Sequence, residues 1–226
     1  MEPLSCEGDK GKAIITYMSE VLDILKKVGA VLTNDHFVGT SGLHFDTYVN
    51  KDFLYPHTAE TSEICRLYAE KYKDKDIEVV VGPALGGIIL SQWVAYHLSE
   101  IYEKEVLGIY TEKNSEGNQF FNRGYDSYVK GKRVLVVEDN AVTGGSVMKV
   151  INAVKGAGGE IVGACVMVNK DTEKVNSETL GVPFEALSEL PVTVYSAEDC
   201  PLCKNGVPIN TKIGHGKKFL ESRAAL

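Results

Sequence analysis

Hydrophobic positions in this chain follow two alternating patterns, one typical of buried strands and the other of helices. Short runs of consecutive apolar residues predict strands at 77–82, 106–110, 133–139 and 161–168. Apolar residues at three- and four-residue spacing predict helices between them, at 87–102 and 146–155. Regular alternation of strand and helix predicts an α/β fold, in which a parallel sheet is flanked by helices.

The residues before this alternation follow a different pattern. Helical spacing of apolar residues predicts a helix over 12–28, and Gly29 is a natural residue to end it. Short alternating runs around Ser41 and Gly42 predict hairpin-like strands over 31–55, a small β-rich stretch that we call the hood. A helix after Pro56 then leads into the sheet.

The patterns together predict the domain organisation. A last strand is expected at 191–195, followed by an irregular tail with one turn near Phe219. We therefore expect four parts: a disordered tail at 1–10, an N-terminal helix and hood at 11–75, a core α/β domain at 76–198, and a C-terminal tail at 199–226 that packs on the hood or the core.

Composition narrows the function classes. A net charge of −7 over 226 residues argues against a nucleic-acid-binding surface, which is usually basic. Five scattered cysteines do not resemble a disulfide framework, and no apolar run follows a basic start at the N-terminus. The uncharged segment 79–98 has the length of a membrane span, but its internal Gly and Pro residues favour strand, loop and buried helix. We expect a cytoplasmic protein without a nucleic-acid or membrane partner.

Candidate chemistry is concentrated in the sequence RVLVVEDNAVTGGS at 133–146. A buried strand ends in two carboxylates, Glu138 and Asp139, and a Gly-rich turn then leads into a helix. The N–H groups at a helix start suit a phosphate, and the carboxylates suit sugar hydroxyls or Mg²⁺. Neither a Lys after the glycines nor a GxGxxG is present, which argues against Walker-type ATPases and dehydrogenases.

Two further stretches extend this site. The sequence GPALGG at 82–87 follows another buried strand, and open α/β sheets bind ligands at such strand ends. Taken alone it is also compatible with a plain turn. The polar segment 111–124 stands between two core strands, and most segments of this kind are solvated surface hairpins.

The sequence VLVVEDNAVTGGS resembles the phosphoribosyl-pyrophosphate (PRPP) motif of the type I phosphoribosyltransferases, and this implies the fold of that family. The resemblance implies that Glu138 and Asp139 hold the ribose hydroxyls of PRPP. The residues implied to bind the 5′-phosphate are Ala141, Val142, Thr143, Gly144, Gly145 and Ser146. GPALGG is similar to the pyrophosphate loop of the family, made here by Pro83, Ala84, Leu85, Gly86 and Gly87.

The same resemblance implies a mobile loop at 111–124, with Lys113 and Arg123 as catalytic cations beside Asp139. It implies Mg²⁺ as cofactor, bound through PRPP, with Glu138 and Asp139 as the candidate protein contacts. It also implies a homodimer in which loop cations reach the active site of the partner.

The acceptor base is indicated by the hood and by the CPLC sequence at 200–203, which resemble the orotate phosphoribosyltransferases. The base site implied consists of Phe37, Ser41, Tyr48 and Lys170, although Phe37 and Tyr48 are equally typical of hood core. The chain has Gly86 and Thr40 where well-known orotate enzymes have Lys, and Lys170 where they have Arg.

The resemblance thus implies an Mg²⁺-dependent enzyme that transfers phosphoribosyl from PRPP to orotate, giving orotidine 5′-monophosphate and pyrophosphate. Two alternatives stay open: transfer to a purine or another base, and a non-catalytic regulator that senses PRPP.

The Cys200–Cys203 pair, with His215 downstream, also suggests a zinc site. Structural zinc needs four ligands, and no second close pair is evident, so we expect a turn with two thiols. His36 and His44 are expected to be structural or exposed.

Overall fold

Six strands form the central sheet of the computed structural model, which describes residues 20–224. In chain order they are β5 (Val79–Pro83), β6 (Leu107–Lys113), β7 (Gln119–Phe120), β8 (Arg133–Ala141), β9 (Glu160–Asn169) and β10 (Phe184–Glu189). Their order across the sheet is β10-β9-β8-β5-β6-β7. All neighbours are parallel except β7, which forms an antiparallel hairpin with β6. The carboxyl ends of β5 and β8 are therefore adjacent.

Helices cover both faces of this sheet. Their bounds are α1 (20–27 of the described residues), α2 (Lys51–Leu54), α3 (Thr58–Tyr72), α4 (Gly86–Tyr102), α5 (Asp126–Val129), α6 (Gly145–Gly156), α7 (Ser177–Leu180), α8 (Pro201–Lys204) and α9 (Gly216–Ala224). A short 3₁₀ helix, Lys73–Lys75, follows α3.

Two hydrophobic clusters result from the alternation of side chains along the strands. Val80 packs in one cluster with residues of α1, α3 and α4, whereas Val79 and Val81 pack in the other with residues of α6. Because neighbouring strand residues point to opposite faces, a strand buried on both faces needs consecutive apolar residues. This explains why the dense apolar runs marked the core strands.

The hood consists of two antiparallel strand pairs and the short helix α2. β1 (Val31–Leu32) pairs with β4 (Tyr48–Val49), and β2 (Phe37–Val38) pairs with β3 (His44–Phe45). The C-terminal segment, 190–224, packs against the hood. His44 and Tyr195 exchange two backbone hydrogen bonds of 2.9 Å, and the N–H of His215 donates to the carbonyl of Val38 at 2.9 Å.

The α/β fold with a small antiparallel hood is as predicted from the sequence. The strand expected at 191–195 is wrong: within the described residues the last strand is β10, and Tyr195 forms only an isolated bridge to His44. Pro191 lacks the N–H that a paired strand would donate. The tail expected to be irregular contains α8 and α9.

Two of the expectations for the N-terminus, the disordered tail at 1–10 and the first turns of the helix at 12–28, lie outside the described residues. The uncharged segment 79–98 forms β5, a loop and most of α4. Across residues 20–224, the structure has no helix with both the length and the apolar character that a bilayer crossing requires.

Candidate active site

A cavity of about 500 Å³ opens at the carboxyl ends of β5 and β8. Six parts of the chain line it: the hood, the loop after β5, the β6–β7 hairpin, the end of β8 with the following loop and start of α6, the segment after β9, and the C-terminal segment. Sites for small ligands usually have volumes of 300–1,000 Å³, so the cavity has room for a nucleotide-sized substrate.

The loop after β8 delivers the start of α6 to this cavity. Gly144 lies at its bend with a positive φ of 70°, which favours glycine, and no side chain caps the helix. The first N–H groups of α6 are thus available to a ligand, and the positive end of the helix dipole favours an anion. Thr143, Gly145 and Ser146 all line the cavity here.

Glu138 and Asp139 lie at the floor of the cavity, with 6% and 8% of their surfaces exposed. A Glu138 Oε1 atom accepts a hydrogen bond of 3.0 Å from the N–H of Asp139. Burial, and then the neighbouring charge of Asp139, raise the pKa of Glu138 well above its usual value. The two acids are therefore unequal: Glu138 favours its proton, and the charge of Asp139 dominates the floor.

Asp139 is held by a cation that the sequence did not reveal. Its Oδ2 atom lies 3.2 Å from Nζ of Lys51, and its Oδ1 atom accepts a 2.5 Å hydrogen bond from the N–H of Asn140. Burial lowers the pKa of Lys51, but the charge of Asp139 and the hydrogen bond to it outweigh burial, and the pKa is raised. Lys51 thus remains an ammonium in the cavity.

Gly86 makes room for this ion pair. A Cβ atom on Gly86 would lie 2.7 Å from Oδ2 of Asp139 and 2.7 Å from Cε of Lys51. Because such distances are well below van der Waals contact, no side chain fits at this position while Lys51 occupies it. The aliphatic stem of Lys51 thus occupies the space that a side chain at position 86 would enter.

The loop after β5 is shaped by two more glycines. A Cβ on Gly82 would clash with the carbonyl of Gly87, and a Cβ on Gly87 would lie 2.5 Å from Cδ of Pro83. The strand end and the helix start therefore touch directly. Gly87 does not line the cavity, and its role is this close approach. The hydroxyl of Tyr55 donates to the carbonyl of Gly86 at 2.9 Å and fixes the loop from the hood side.

The two predicted loop cations lie in different places. Lys113, exposed at the end of β6, lines the cavity. Arg123 does not: its Nε atom donates to Glu112 at 2.9 Å, and 59% of its side chain is exposed. The hairpin tip is tethered to α6, because Nζ of Lys149 donates to the carbonyl of Gly117 at 2.6 Å.

On the hood side, Ser41, Tyr48 and Lys170 line the cavity. Nζ of Lys170 lies 5.3 Å from the ring centroid of Tyr48 and 6.0 Å from that of Phe45. Burial lowers the pKa of Lys170 to about 8, although the charge of Asp139 opposes this shift. A buried cation against aromatic rings suits a flat, anionic ligand.

Phe37 corrects one expectation. It is 1% exposed, its ring centroid lies 5.4 Å from that of Tyr48, and it does not line the cavity. Its cross-strand partner Phe45 lines the cavity instead. Phe37 is hood core: its ring lies behind those of Phe45 and Tyr48, with centroids 6.4 Å and 5.4 Å away.

All the predicted site residues except Phe37, Gly87 and Arg123 line this one cavity. Lining residues that were not predicted include Thr40, Phe45, Lys51, Gln119, Asn140, Lys149 and His215. Thr40, Phe45 and Lys51 lie within the hood. The sequence indicated that the hood segment as a whole belongs to the site, but it did not single out these three residues. His215 arrives from the C-terminal segment and bonds to Oγ1 of Thr40 at 3.0 Å, a contact that no local pattern indicates.

Gln119 is the least expected of these lining residues. It is 7% exposed, and neither atom of its side-chain amide has a hydrogen-bond partner among the described residues. A buried amide without partners is costly unless a ligand or water satisfies it. Gln119 therefore faces the cavity with free hydrogen-bonding capacity.

Comparison with known proteins agrees with this geometry. The family described as the phosphoribosyl transferase domain matches residues 51–183. The orotate phosphoribosyltransferase of Caldanaerobacter subterraneus subsp. tengcongensis is 41% identical over 192 residues, covering 84% of this chain and 94% of that protein. The enzyme of the same name from Thermotoga maritima is 37% identical, covering 88% of this chain and 100% of that protein.

A solved structure gives the same result for the fold. The crystal structure of orotate phosphoribosyltransferase from Aeropyrum pernix superposes with a TM-score of 0.62 at 28% identity, covering 75% of this chain and 93% of that one. The site assembled here and these relatives lead to one conclusion: the chain belongs to the phosphoribosyltransferase family.

Proposed function

We propose that this protein is an orotate phosphoribosyltransferase, which joins orotate to PRPP and releases orotidine 5′-monophosphate and pyrophosphate. The observation that carries the proposal is the arrangement of one cavity, with an uncapped helix start at one end and the buried ammonium of Lys170 at the other. The relatives that share this chain over most of their length bear that name.

PRPP fits the cavity in one direction. Its 5′-phosphate would bind the N–H groups at the start of α6, where Thr143 and Ser146 add hydroxyls. The ribose hydroxyls would then lie against Glu138 and Asp139, and the pyrophosphate against the loop after β5. This places C1 of the ribose toward the hood, where the base must bind.

The reaction breaks the bond between C1 and the pyrophosphate oxygen and forms a bond between C1 and N1 of orotate. The proton of N1 leaves with pyrophosphate. Since negative charge develops on the leaving group, fixed cations aimed at it lower the barrier. Lys51 and Lys113 are the cavity cations on that side, and the charge of Asp139 favours the cationic ribose that forms as the bond breaks.

Mg²⁺ is the proposed cofactor, and the donor atoms present suit it. The carboxyl oxygens of Glu138 and Asp139 are hard donors of the kind that Mg²⁺ prefers, and both line the cavity; Glu138 would give up its proton on binding the ion. Bound together with PRPP, the ion would neutralise charge on the pyrophosphate. Lys51 and Lys113 would bind the pyrophosphate oxygens that do not contact the ion.

The acceptor is indicated by Lys170. Orotate carries a carboxylate, which the ammonium of Lys170 can pair with while the Phe45 and Tyr48 rings contact the base. A purine has no such charge and would leave the buried ammonium unpaired, which is costly. The cavity thus favours an anionic pyrimidine.

The proposal is tested by supplying the purified protein with Mg²⁺, PRPP and one base at a time: orotate, uracil, adenine or guanine. We expect consumption of orotate, followed by its ultraviolet absorbance, and no turnover of the other bases. Turnover of a purine but not of orotate would assign the chain to a different acceptor. If no base reacts although PRPP binds, the protein is a regulator.

Replacing Asp139 by Asn should weaken the use of PRPP. The change removes the negative charge that is proposed to face the ribose. Because a hydrogen bond to a charged group contributes roughly 1.5–3 kcal/mol, kcat/KM for PRPP should fall about 10- to 100-fold. Lys51→Met should lower it as well, since Asp139 then loses its partner. The matched control is Asp76→Asn, an exposed carboxylate paired with Lys104. Equal kinetics of Asp139→Asn and the control would refute the role of Asp139.

The pKa of Lys170 predicts a pH dependence of orotate binding. With a pKa of about 8, Lys170 is charged below pH 8 and loses its proton above it. The KM for orotate should therefore rise above pH 8, by about tenfold per pH unit. In Lys170→Arg the charge persists, and the KM should stay flat over the same range whatever its absolute value. A rise of the same slope in both proteins would show that another group titrates.

We further propose a homodimer with shared active sites, because Arg123 is turned away from the cavity of its own chain. Arg123 lies in the exposed segment after β7, from which it can reach a neighbouring subunit, whereas Lys113 lines the cavity of its own chain. A two-fold dimer would present this segment symmetrically, so each cavity would receive a cation from the partner.

Mixing inactive variants tests this sharing. Subunits with Arg123→Ala are mixed with subunits carrying Asp139→Ala. If Arg123 acts across the interface, half of the dimers are hybrids and one of their two sites is intact, so about a quarter of the normal activity should return. The charge difference between the variants separates hybrids by ion exchange. Hybrids without activity would show that each chain completes its own site.

We place the reaction in the cytoplasm. This rests on the described cysteines, Cys65, Cys165, Cys200 and Cys203, which form no disulfide, as expected in a reducing compartment.

A further inference from the structure

A second cluster of reactive side chains lies on the far side of the hood, outside the central cavity. It brings together two residues of the hood, His36 and His44, with Cys200 and Cys203 of the C-terminal segment. Three of the four are buried and Cys203 is partly buried, and one donor atom from each lies within 4.8 Å of all the others. The reaction proposed above uses none of them.

The distances within this cluster match those of a metal centre. Sγ of Cys203 lies 3.7 Å from Nε2 of His36 and 3.4 Å from Nδ1 of His44, and Sγ of Cys200 lies 3.6 Å from Nε2 of His36. A tetrahedral zinc ion with Zn–S near 2.3 Å and Zn–N near 2.0–2.1 Å separates its ligand atoms by about 3.3–3.8 Å. The two imidazole nitrogens, 2.8 Å apart, need to separate by about 0.5 Å.

The surroundings of His36 prepare it as a ligand. Its Nδ1 atom lies 2.8 Å from the carbonyl oxygen of Val207, so the ring carries its proton there and donates to that carbonyl. Nε2 is left with a lone pair that points into the cluster. Metal-binding histidines usually have this arrangement, with the second ring nitrogen held by a carbonyl or carboxylate.

We infer that His36, His44, Cys200 and Cys203 bind one structural Zn²⁺ ion. Two thiolates and two neutral imidazoles balance the charge of the ion, and thiolate ligands select zinc over Mg²⁺ or Ca²⁺. All four positions are filled by protein atoms, so no position remains for a substrate and the ion is not catalytic. Binding does not depend on the proposed reaction.

The ion would join parts of the chain that are distant in sequence. His44 and Cys203 are 159 residues apart. This explains why the sequence alone predicted two thiols without a metal. The other two ligands, His36 and His44, come from the hood and not from a motif near Cys200 and Cys203. His215, the nearer candidate in sequence, bonds to Thr40 instead.

The position of the cluster gives the ion a positioning role. His36 immediately precedes β2 and His44 begins β3, so the two lie on either side of the turn that carries Thr40, Ser41 and Leu43 into the cavity. Fixing both histidines to Cys200 and Cys203 fixes this turn. The ion would therefore support the wall of the cavity on the side assigned to the base.

The metal content of the full-length protein tests the inference. Protein purified without a metal-affinity step or added metal is analysed by mass spectrometry of its elements, and we expect about one zinc per chain. Protein reconstituted with Co²⁺ should show the visible absorption of a tetrahedral ion and thiolate-to-metal charge transfer. A chain without stoichiometric metal, or with an intact Cys200–Cys203 disulfide, would overturn the inference.

Paired variants locate the ion. In Cys200→Ser/Cys203→Ser the zinc content should fall to below about a tenth of an ion per chain, whereas Cys65→Ser/Cys165→Ser, which replaces two buried thiols elsewhere, should keep it. Retention of zinc by the first variant would refute the site. If that variant does not fold, the metal content and cobalt spectrum of the unmodified protein decide alone.

The positioning role has its own readout. Removing zinc with a chelator should lower the melting temperature and raise the KM for orotate more than the KM for PRPP, because the ion supports only the hood side of the cavity. Equal increases in both constants would assign the ion to general stability alone.

Discussion

The charge of Asp139 is the interaction on which the cavity depends. It lies at the end of β8, where it raises the pKa of Glu138, opposes the lowering of the pKa of Lys170, and pairs with Lys51. A buried carboxylate is stable only with compensation, which Lys51 and the N–H of Asn140 supply. One charge thus links Glu138 on the cavity floor, Lys170 on the cavity wall and Lys51 of the hood.

The ion pair also explains why the loop after β5 has a glycine where well-known orotate enzymes have Lys. A side chain on Gly86 would collide with Lys51 and Asp139. The hood therefore supplies a cation to a place that the loop could otherwise fill.

The sequence predicts the parts of this molecule that are locally encoded. The core strands, the Gly-rich turns and the two acids follow from short patterns, because a strand buried on both faces and a helix start each have a local signature. Lys51, His215 and the His–Cys cluster have none, since they meet their partners through the tertiary fold. The strand expected at 191–195 fails for the same reason: Tyr195 pairs with His44 of the hood in an isolated bridge, and the segment does not join the central sheet.

The hood shows how local and distant constraints combine. Its strands are two residues long, and a pair of such short strands is not stable alone. Lys51 anchors it at the cavity, while backbone hydrogen bonds from Asn210 to His36 and from His215 to Val38 anchor its other side. If the hood binds the base as proposed, the C-terminal segment would help to determine which base is accepted. A change there would alter the use of the base before it altered the use of PRPP.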